Sequence, residues 1–455
     1  MNAAPNRRLV LVVRADPVIC GHSVEARNLA EAALHRGFDD VRIVTWPVDR
    51  LVETGLPLKR LDGVMPYSDG ITVERPEPVG DYRVPDGRYL GGMVGRLVEL
   101  FTDGVPTVCM SLYITPHATA VAEALRVARL TGLPVNVTTI AEAVGSDITN
   151  VVRTCVAEDR FGAAAQVLAT YLDNDLCVAV SRYTKDLIVS SAAELDAMHG
   201  TSFAEQCEDR VRISYPAIHA SRYLDLCPDL LSATLRSRGL EEGGYLLFLS
   251  RLAAAKGADD LITGYALSDA RHRVTLLIAG DGPQAGALRE LAATSGAGDR
   301  IVFYDDIDDV EKPYLMRGCA AFVLPSKPRP EFVETFGIAL AEKMLAGGGP
   351  VITTDTGGIG ETVAGHALVV PTESPTAIAA AIDRAVNLPL EARRDLEEQA
   401  RSHALQFDRM RIFDLLMDQL FLAGIRAEDP YEPRPGPATL TPLRYLEPPV
   451  AGSGW

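Results

Sequence analysis

The feature that most constrains this chain is an alternation of short apolar runs with helical patterns, carried through twice. The first series is LVLVV (9–13), VRIVT (41–45), VPTVCMS (105–111), PVNVTT (134–139) and LCVAV (176–180), with stretches such as SVEARNLAEAALHRG and AVAEALRVARLTG between them. The second is YLLFL (245–249), VTLLIA (274–279), IVF (301–303), AAFVL (320–324), PVIT (350–353) and ALVV (367–370). Continuously apolar strands separated by helices are the pattern of βαβ units, whose parallel sheet is covered on both faces. Two such series in 455 residues predict two doubly wound, Rossmann-like α/β domains with a ligand cleft between them, at the carboxyl ends of the strands. The expected bounds are 1–220 and 221–408, joined near VRISYPAIHASRYL (211–224). Residues 409–455 follow: an amphipathic helix in RMRIFDLLMDQLFLAG (409–424), crossing back toward the first domain, and a proline-rich tail.

Composition narrows the function. With 47% hydrophobic and 23% charged residues the chain reads as an ordinary soluble globular protein, and a formal charge of -17 argues against a nucleic-acid partner. The seven cysteines (20, 109, 155, 177, 207, 227, 319) form no C-x-x-C pair and fit buried thiols in a reducing cytoplasm. MNAAPNRR leads straight into a strand, so neither a signal peptide nor a membrane span is expected, and the location is read as cytoplasmic. Oligomeric state is not encoded in these features. The eight histidines are dispersed, Asp306-Ile-Asp308 sits in an acidic loop, and no metal site is expected.

The chemistry concentrates in PSKPRPEFVETFGIALAEKMLAGGGPVITTDTGGIGE (325–361), where Glu334 and Glu342 have seven residues between them. Glu334 is expected before a helix and Glu342 about two turns inside it; a helical separation of eight steps spans about 12 Å, close to the distance between the two sugar rings of a nucleotide-sugar. A carboxylate accepts hydrogen bonds from a vicinal diol, and helix-start amides favour a phosphate between the rings. The plain alternative is a helix-start acid and a solvated one. Arg251 and Lys256, in SRLAAAKG just past YLLFL, can converge on one anion; two solvated cations read equally well. Gly280, in GDGP after the second strand of its domain, suggests a tight turn with Pro283 opening a helix. Cys20-Gly21-His22-Ser23 fills the first strand-to-helix loop, with Ser23 as an N-cap. The long segment 59–92 holds Tyr82, Arg88 and Tyr89, read as an ordered loop near the cleft.

Taken together, LFLSRLAAAKG, LLIAGDGP and the 325–361 stretch resemble the retaining GT-B glycosyltransferases of family 4, the group that includes sucrose-phosphate synthase-like and mannosyltransferase enzymes. The resemblance covers most of the second domain. It implies that Arg251 and Lys256 hold the donor diphosphate and balance the leaving-group charge without a divalent ion. Glu334 would contact the transferred sugar and Glu342 the ribose. Thr335, Gly280 and the amides around Phe336, Gly337 and Ile338 would complete the donor side, and Gly21 would meet the phosphate from the first domain. That domain departs from the family pattern: Gly21-His22 stands for Gly-Gly, Val144 for the His before Gly145-Ser146-Asp147, and Pro216-Ala217-Ile218-His219 for Asn-Gly-Val-Asp. His22, Ser146, Asp147, Tyr82, Arg88 and Tyr89 are therefore the acceptor-side candidates. The expected function is metal-independent transfer of a hexose-like sugar from a UDP- or GDP-type donor to a small hydroxylated acceptor, with no bound cofactor. The alternatives are a retaining glycoside phosphorylase on the same fold and a non-catalytic nucleotide-sugar-binding protein.

Overall fold

A computed structural model of the chain describes residues 7–53, 55, 57–59, 64–80, 85–330 and 332–422. Two wholly parallel sheets organise it. The first is built from β1 (Arg8–Val12), β2 (Asp40–Val44), β3 (Ile71–Glu74), β4 (Thr107–Leu112), β5 (Val137–Ala143), β6 (Leu176–Ala179) and β7 (Val211–Ile213), in the order β3-β2-β1-β4-β5-β6-β7. The second is built from β8 (Tyr245–Leu249), β9 (Thr275–Ala279), β10 (Ile301–Tyr304), β11 (Ala321–Leu324), β12 (Val351–Thr354) and β13 (Leu368–Val370), in the order β10-β9-β8-β11-β12-β13. Strands such as Leu246-Leu247-Phe248 and Leu9-Val10-Leu11 are buried on both faces, each such side chain worth about 1.5–3 kcal/mol of burial. This is the doubly wound α/β pair expected.

Strand order locates the cleft. In the first sheet β1 lies between β2 and β4, with Val12 opposite both Val44 and Ser111. In the second β8 lies between β9 and β11. Each order reverses at its first strand, so the crevices open beyond β1 and β4 on one side and beyond β8 and β11 on the other. Arg251 and Lys256 follow β8 and Glu334 follows β11.

Several local expectations are corrected. Residues 59–92 contain the edge strand β3 and the start of a helix, Pro85–Thr102, rather than one loop. Arg88 and Tyr89 are helical; Tyr89 Oη donates to Asp49 at 3.3 Å and its ring receives the Arg50 guanidinium, both in the segment that follows β2. Tyr82 lies outside the described residues, as does the proline-rich tail. The connection between domains begins after β7. It pairs with the returning chain at Ile218, whose amide donates to Phe407 O at 2.8 Å and whose carbonyl accepts from Arg409 N at 2.7 Å. The helix Arg409–Leu422 then packs Ile412, Phe413, Leu416 and Leu420 into the core of the first domain, with Arg36 bidentate to Asp414 at 2.7 and 2.6 Å. No helix among the described residues is long and apolar enough to cross a membrane.

Candidate active site

The loop that carries Glu334 is fixed by the residues that follow it. Gly358 N donates to Glu334 O at 2.9 Å, Thr362 Oγ1 bonds Phe336 O, and Thr354 Oγ1 bonds Ser326 O. Gly357 and Gly358 approach so closely that a Cβ would fall 2.0 Å from Glu334 O and 1.9 Å from Thr335 O. The sequence TTDTGGIGE is thus the cradle for the VETFG turn. From the other side buried Lys327 bonds Asp259 and Asp260, each at 2.7 Å, at the start of the helix Ala258–Leu267. Lys256 precedes that helix by two residues, which ties the two loops together.

At their meeting point Lys256 Nζ is paired with the Glu334 carboxylate and lies 4.7 Å from the Phe332 ring centroid. Glu334 is 9% exposed. Arg251, half-buried in the same loop as Lys256, makes no side-chain hydrogen bond or ion pair among the described residues. The helix Ile338–Ala346 starts after Gly337, which sits at φ 92 and caps with no side chain; Leu340 N donates to Gly337 O at 2.9 Å, which leaves the amides of Ile338 and Ala339 without an intrahelical acceptor. The helix is fastened at the other end by buried Lys343, whose Nζ bonds Met316 O at 2.7 Å and Gly347 O. Glu342 is the fifth helical residue, one turn inside rather than two. It is 3% exposed and accepts from Tyr223 Oη and Lys312 Nζ, each at 2.7 Å. The Phe336 ring is core, packed against Phe407 at 4.9 Å and Tyr215 at 5.8 Å, leaving only its backbone for a ligand.

Gly280 and Gly282 are structural: at φ 135 and 157, a Cβ would meet Ser250 O at 2.1 Å and Leu252 O at 2.6 Å. They let the β9 turn lie against the Arg251 loop. The helix here begins at Ala285, so Pro283 lies in the turn before it, not at its first position. Asp306 pairs with Arg238 and Asp308 accepts from the amides of Val310 and Glu311, which makes this acidic run a turn.

The first domain closes against these loops. A Cβ on Gly21 would lie 3.1 Å from Ile338 Cδ1, and one on Gly145 2.1 Å from Thr335 Cγ2. Thr335 Oγ1 donates to Val144 O at 2.9 Å. Across the same seam Glu361 accepts from the amides of Arg182 and Tyr183, both at 2.9 Å, at the start of the helix Arg182–His199. Lys59 pairs with Asp309 at 2.5 Å. Glu361 closes the 325–361 stretch, but its partners, like the Asp309 partner of Lys59, are brought to it only by the fold.

The acceptor-side candidates separate. Cys20, not Ser23, is the N-cap of the helix Gly21–His35, and Ser23 is buried within the first turn. His22 Nδ1 is buried without a partner; burial, helped by the Arg14 guanidinium, lowers its pKa to about 3, so the ring is neutral at pH 7. Asp147 is withdrawn from the cleft: its carboxylate accepts the amides of Ile114, Val144 and Gly145 at 3.2, 3.3 and 3.0 Å, and so joins the β4 and β5 loops. Ser146 lies beside Tyr113.

Behind these loops sits a buried carboxyl pair. Burial pushes Glu25 up to about 8, tempered by a hydrogen bond from the Ala217 amide, while burial and the neighbouring Glu25 and Asp147 raise Glu142 well above the carboxylate range. A carboxyl held protonated by the fold stabilises it fully below the unfolded value, near 4.5, and that contribution is lost as pH rises through the folded value. Stability should therefore decline between about pH 4.5 and 8, by at most about 1.4 kcal/mol per pH unit for each such group. Glu25→Gln, which keeps an oxygen for the Ala217 amide, should flatten the decline in thermal melting over this range. A variant whose melting falls in parallel with wild type would reject the assignment.

Comparison with known proteins places this geometry. Residues 235–403 match the family described as glycosyl transferases group 1. These residues lie within the second domain. An uncharacterised glycosyltransferase of Methanocaldococcus jannaschii is 25% identical over 47% of this chain and 56% of its own length. The 2-deoxystreptamine glucosyltransferase of Streptomyces kanamyceticus is 33% identical over 32% of this chain and 40% of its own. The chain thus spans about half the length of the curated relatives it matches. Among solved structures, Anabaena HepE in complex with UDP-glucose superposes with a TM-score of 0.65 at 17% identity, covering 91% of this chain and 99% of that one. Sucrose-phosphate synthase of Thermosynechococcus elongatus gives 0.62 at 20% identity, covering 92% and 100%. At these identities the structural likeness is one of fold: both halves follow the GT-B plan, and the residues matched by the family, 235–403, include Arg251, Lys256, Glu334 and Glu342.

Proposed function

We propose that the chain is a retaining glycosyltransferase that moves a hexose-like sugar from a nucleoside diphosphate to a small hydroxylated acceptor, without a divalent ion. The observation that carries this reading is the Lys256–Glu334 pair, in the same loop as Arg251, whose side chain has no partner among the described residues, at the crevice of the second domain and ahead of the Ile338–Ala346 helix. Cations and helix-start amides suit a diphosphate, and the two carboxylates suit hydroxyls on either side of it. Breaking the bond between the sugar and the diphosphate leaves negative charge on the departing oxygen. Arg251, Lys256 and the helix-start amides would stabilise that charge. Glu334, released from Lys256 by the incoming phosphate, would turn to the sugar hydroxyls, and Glu342 to the ribose. No side chain is assigned as a base.

Release of nucleoside diphosphate from UDP-, GDP- and ADP-sugars, with and without a panel of sugars, polyols and their monophosphates, tests the reading. Acceptor-dependent release from at least one donor, lost in Glu334→Ala, is the expected outcome. Binding of donor without release from any combination would favour an idle binding protein.

A further inference from the structure

A cation stands on the first-domain wall of the cleft. Arg14, the second residue past β1, is half-buried and makes no hydrogen bond or ion pair among the described residues, although the chain has 61 acidic side chains against 44 basic ones. Its neighbours are engaged: Arg27 bonds Asp16 at 2.8 Å, and Arg75 bonds Trp46 O at 2.8 Å. The Arg14 guanidinium lies 5.5 Å from the Tyr113 ring centroid, and that ring is 5.9 Å from His22. Tyr113 follows β4 with φ 105, a left-handed conformation that a tyrosine adopts only when its surroundings impose it, and such outliers gather at ligand sites. His22 contributes the buried, unpartnered Nδ1. The nearby His117 is excluded from the set, because its Nδ1 donates to Leu112 O at 3.0 Å and its Nε2 accepts from Trp46 Nε1 at 3.3 Å.

These groups stand at the carboxyl ends of adjacent strands β1 and β4; the loop after β1 meets Ile338 across the seam through Gly21, and the loop after β5, the next strand, meets Thr335 through Gly145. The donor diphosphate already has two cations from the opposite domain. We infer that Arg14, with His22 and Tyr113, forms a subsite for a phosphate monoester on the acceptor, so that the acceptor is a phosphorylated sugar or polyol. The inference rests on the transferase reading and adds to it the chemical class of what receives the sugar. A guanidinium fork fits a phosphate in two-point contact, and a neutral imidazole and a phenol supply further hydrogen bonds without competing charge. Arg14 would set acceptor specificity rather than take part in bond breaking.

Inorganic phosphate is the probe, titrated calorimetrically into the protein saturated with whichever of UDP, GDP or ADP it binds, so that the donor cations are occupied. Binding should weaken at least about tenfold in Arg14→Gln and be partly restored in Arg14→Lys, as loss of one charge-assisted contact implies. Nucleoside diphosphate affinity should stay unchanged in both variants. Undetectable phosphate binding to the loaded wild type, or equal binding to both variants and wild type, overturns the subsite. A matching loss of nucleoside diphosphate affinity assigns Arg14 to the donor and overturns it too. If none of the three nucleotides binds, the transferase reading itself fails, a result distinct from loss of the subsite alone.

Discussion

Lys256→Ala is expected to lower kcat by about 10²–10³-fold while weakening donor binding by less than about tenfold. The asymmetry follows from where charge develops. In the bound donor the diphosphate shares its charge over many oxygens and is held by Arg251, Lys256 and the amides ahead of Ile338. As the sugar leaves, one more charge gathers on a single oxygen, and a cation fixed beside it acts most strongly at that moment. Lys256 is fixed: its loop ends at Gly257, φ 71, where a Cβ would lie 2.0 Å from Pro325 O. Steady-state turnover and calorimetric donor affinity, measured on the same preparation, check the split. Equal losses in both would make Lys256 a source of uniform binding only.

Gly145→Ala should produce the next largest loss, without unfolding either domain. A Cβ there would stand 2.1 Å from Thr335 Cγ2 across the seam, at φ 100, a conformation that costs a non-glycine residue about 1–3 kcal/mol. The two loops that would enclose the sugar must then part, which removes the Thr335 to Val144 bond and admits water. A fall in kcat/KM of at least about tenfold is expected, since about 1.4 kcal/mol is a factor of ten. Thr335→Ser removes the colliding methyl and keeps the hydroxyl, so the double variant should recover part of the loss. Kinetics of the two single variants and the double form the cycle, and additive losses would show that the Gly145–Thr335 contact is not where the damage arises.

How much was legible in the sequence depended on whether a signal is sequential or spatial. The continuously apolar strands were readable because both faces are buried. The edge strands β3 and β7 were not: Ile71–Glu74 is four residues with no buried side chain, and Val211–Ile213 looks like linker. The helix Pro85–Thr102 was hidden by its glycines, of which Gly92 is needed because a Cβ there would lie 2.3 Å from Glu77 O. The donor-side residues fall in short motifs with fixed spacing, so Arg251, Lys256, Glu334 and Glu342 could be named together. Arg14, Tyr113, Glu361 and Lys59 are single residues whose neighbours arrive from distant strands. Asp147 was misread for the same reason: a carboxylate in a cleft loop suggests a ligand group until its three amide donors are seen. The pairing of Lys256 with Glu334 ties a cation to a carboxylate 78 positions away, a link no spacing rule reports.

The central claim is that this cleft transfers a sugar with retention from a nucleoside diphosphate to an acceptor hydroxyl. The most direct measurement follows the reaction by proton NMR, with the donor that supports release, its acceptor, and no added phosphate. The account predicts that nucleoside diphosphate and glycoside appear together, that the new linkage keeps the anomeric configuration of the donor, and that Glu334→Ala abolishes both. A product of inverted configuration, or turnover that requires inorganic phosphate and yields a sugar phosphate, would contradict it.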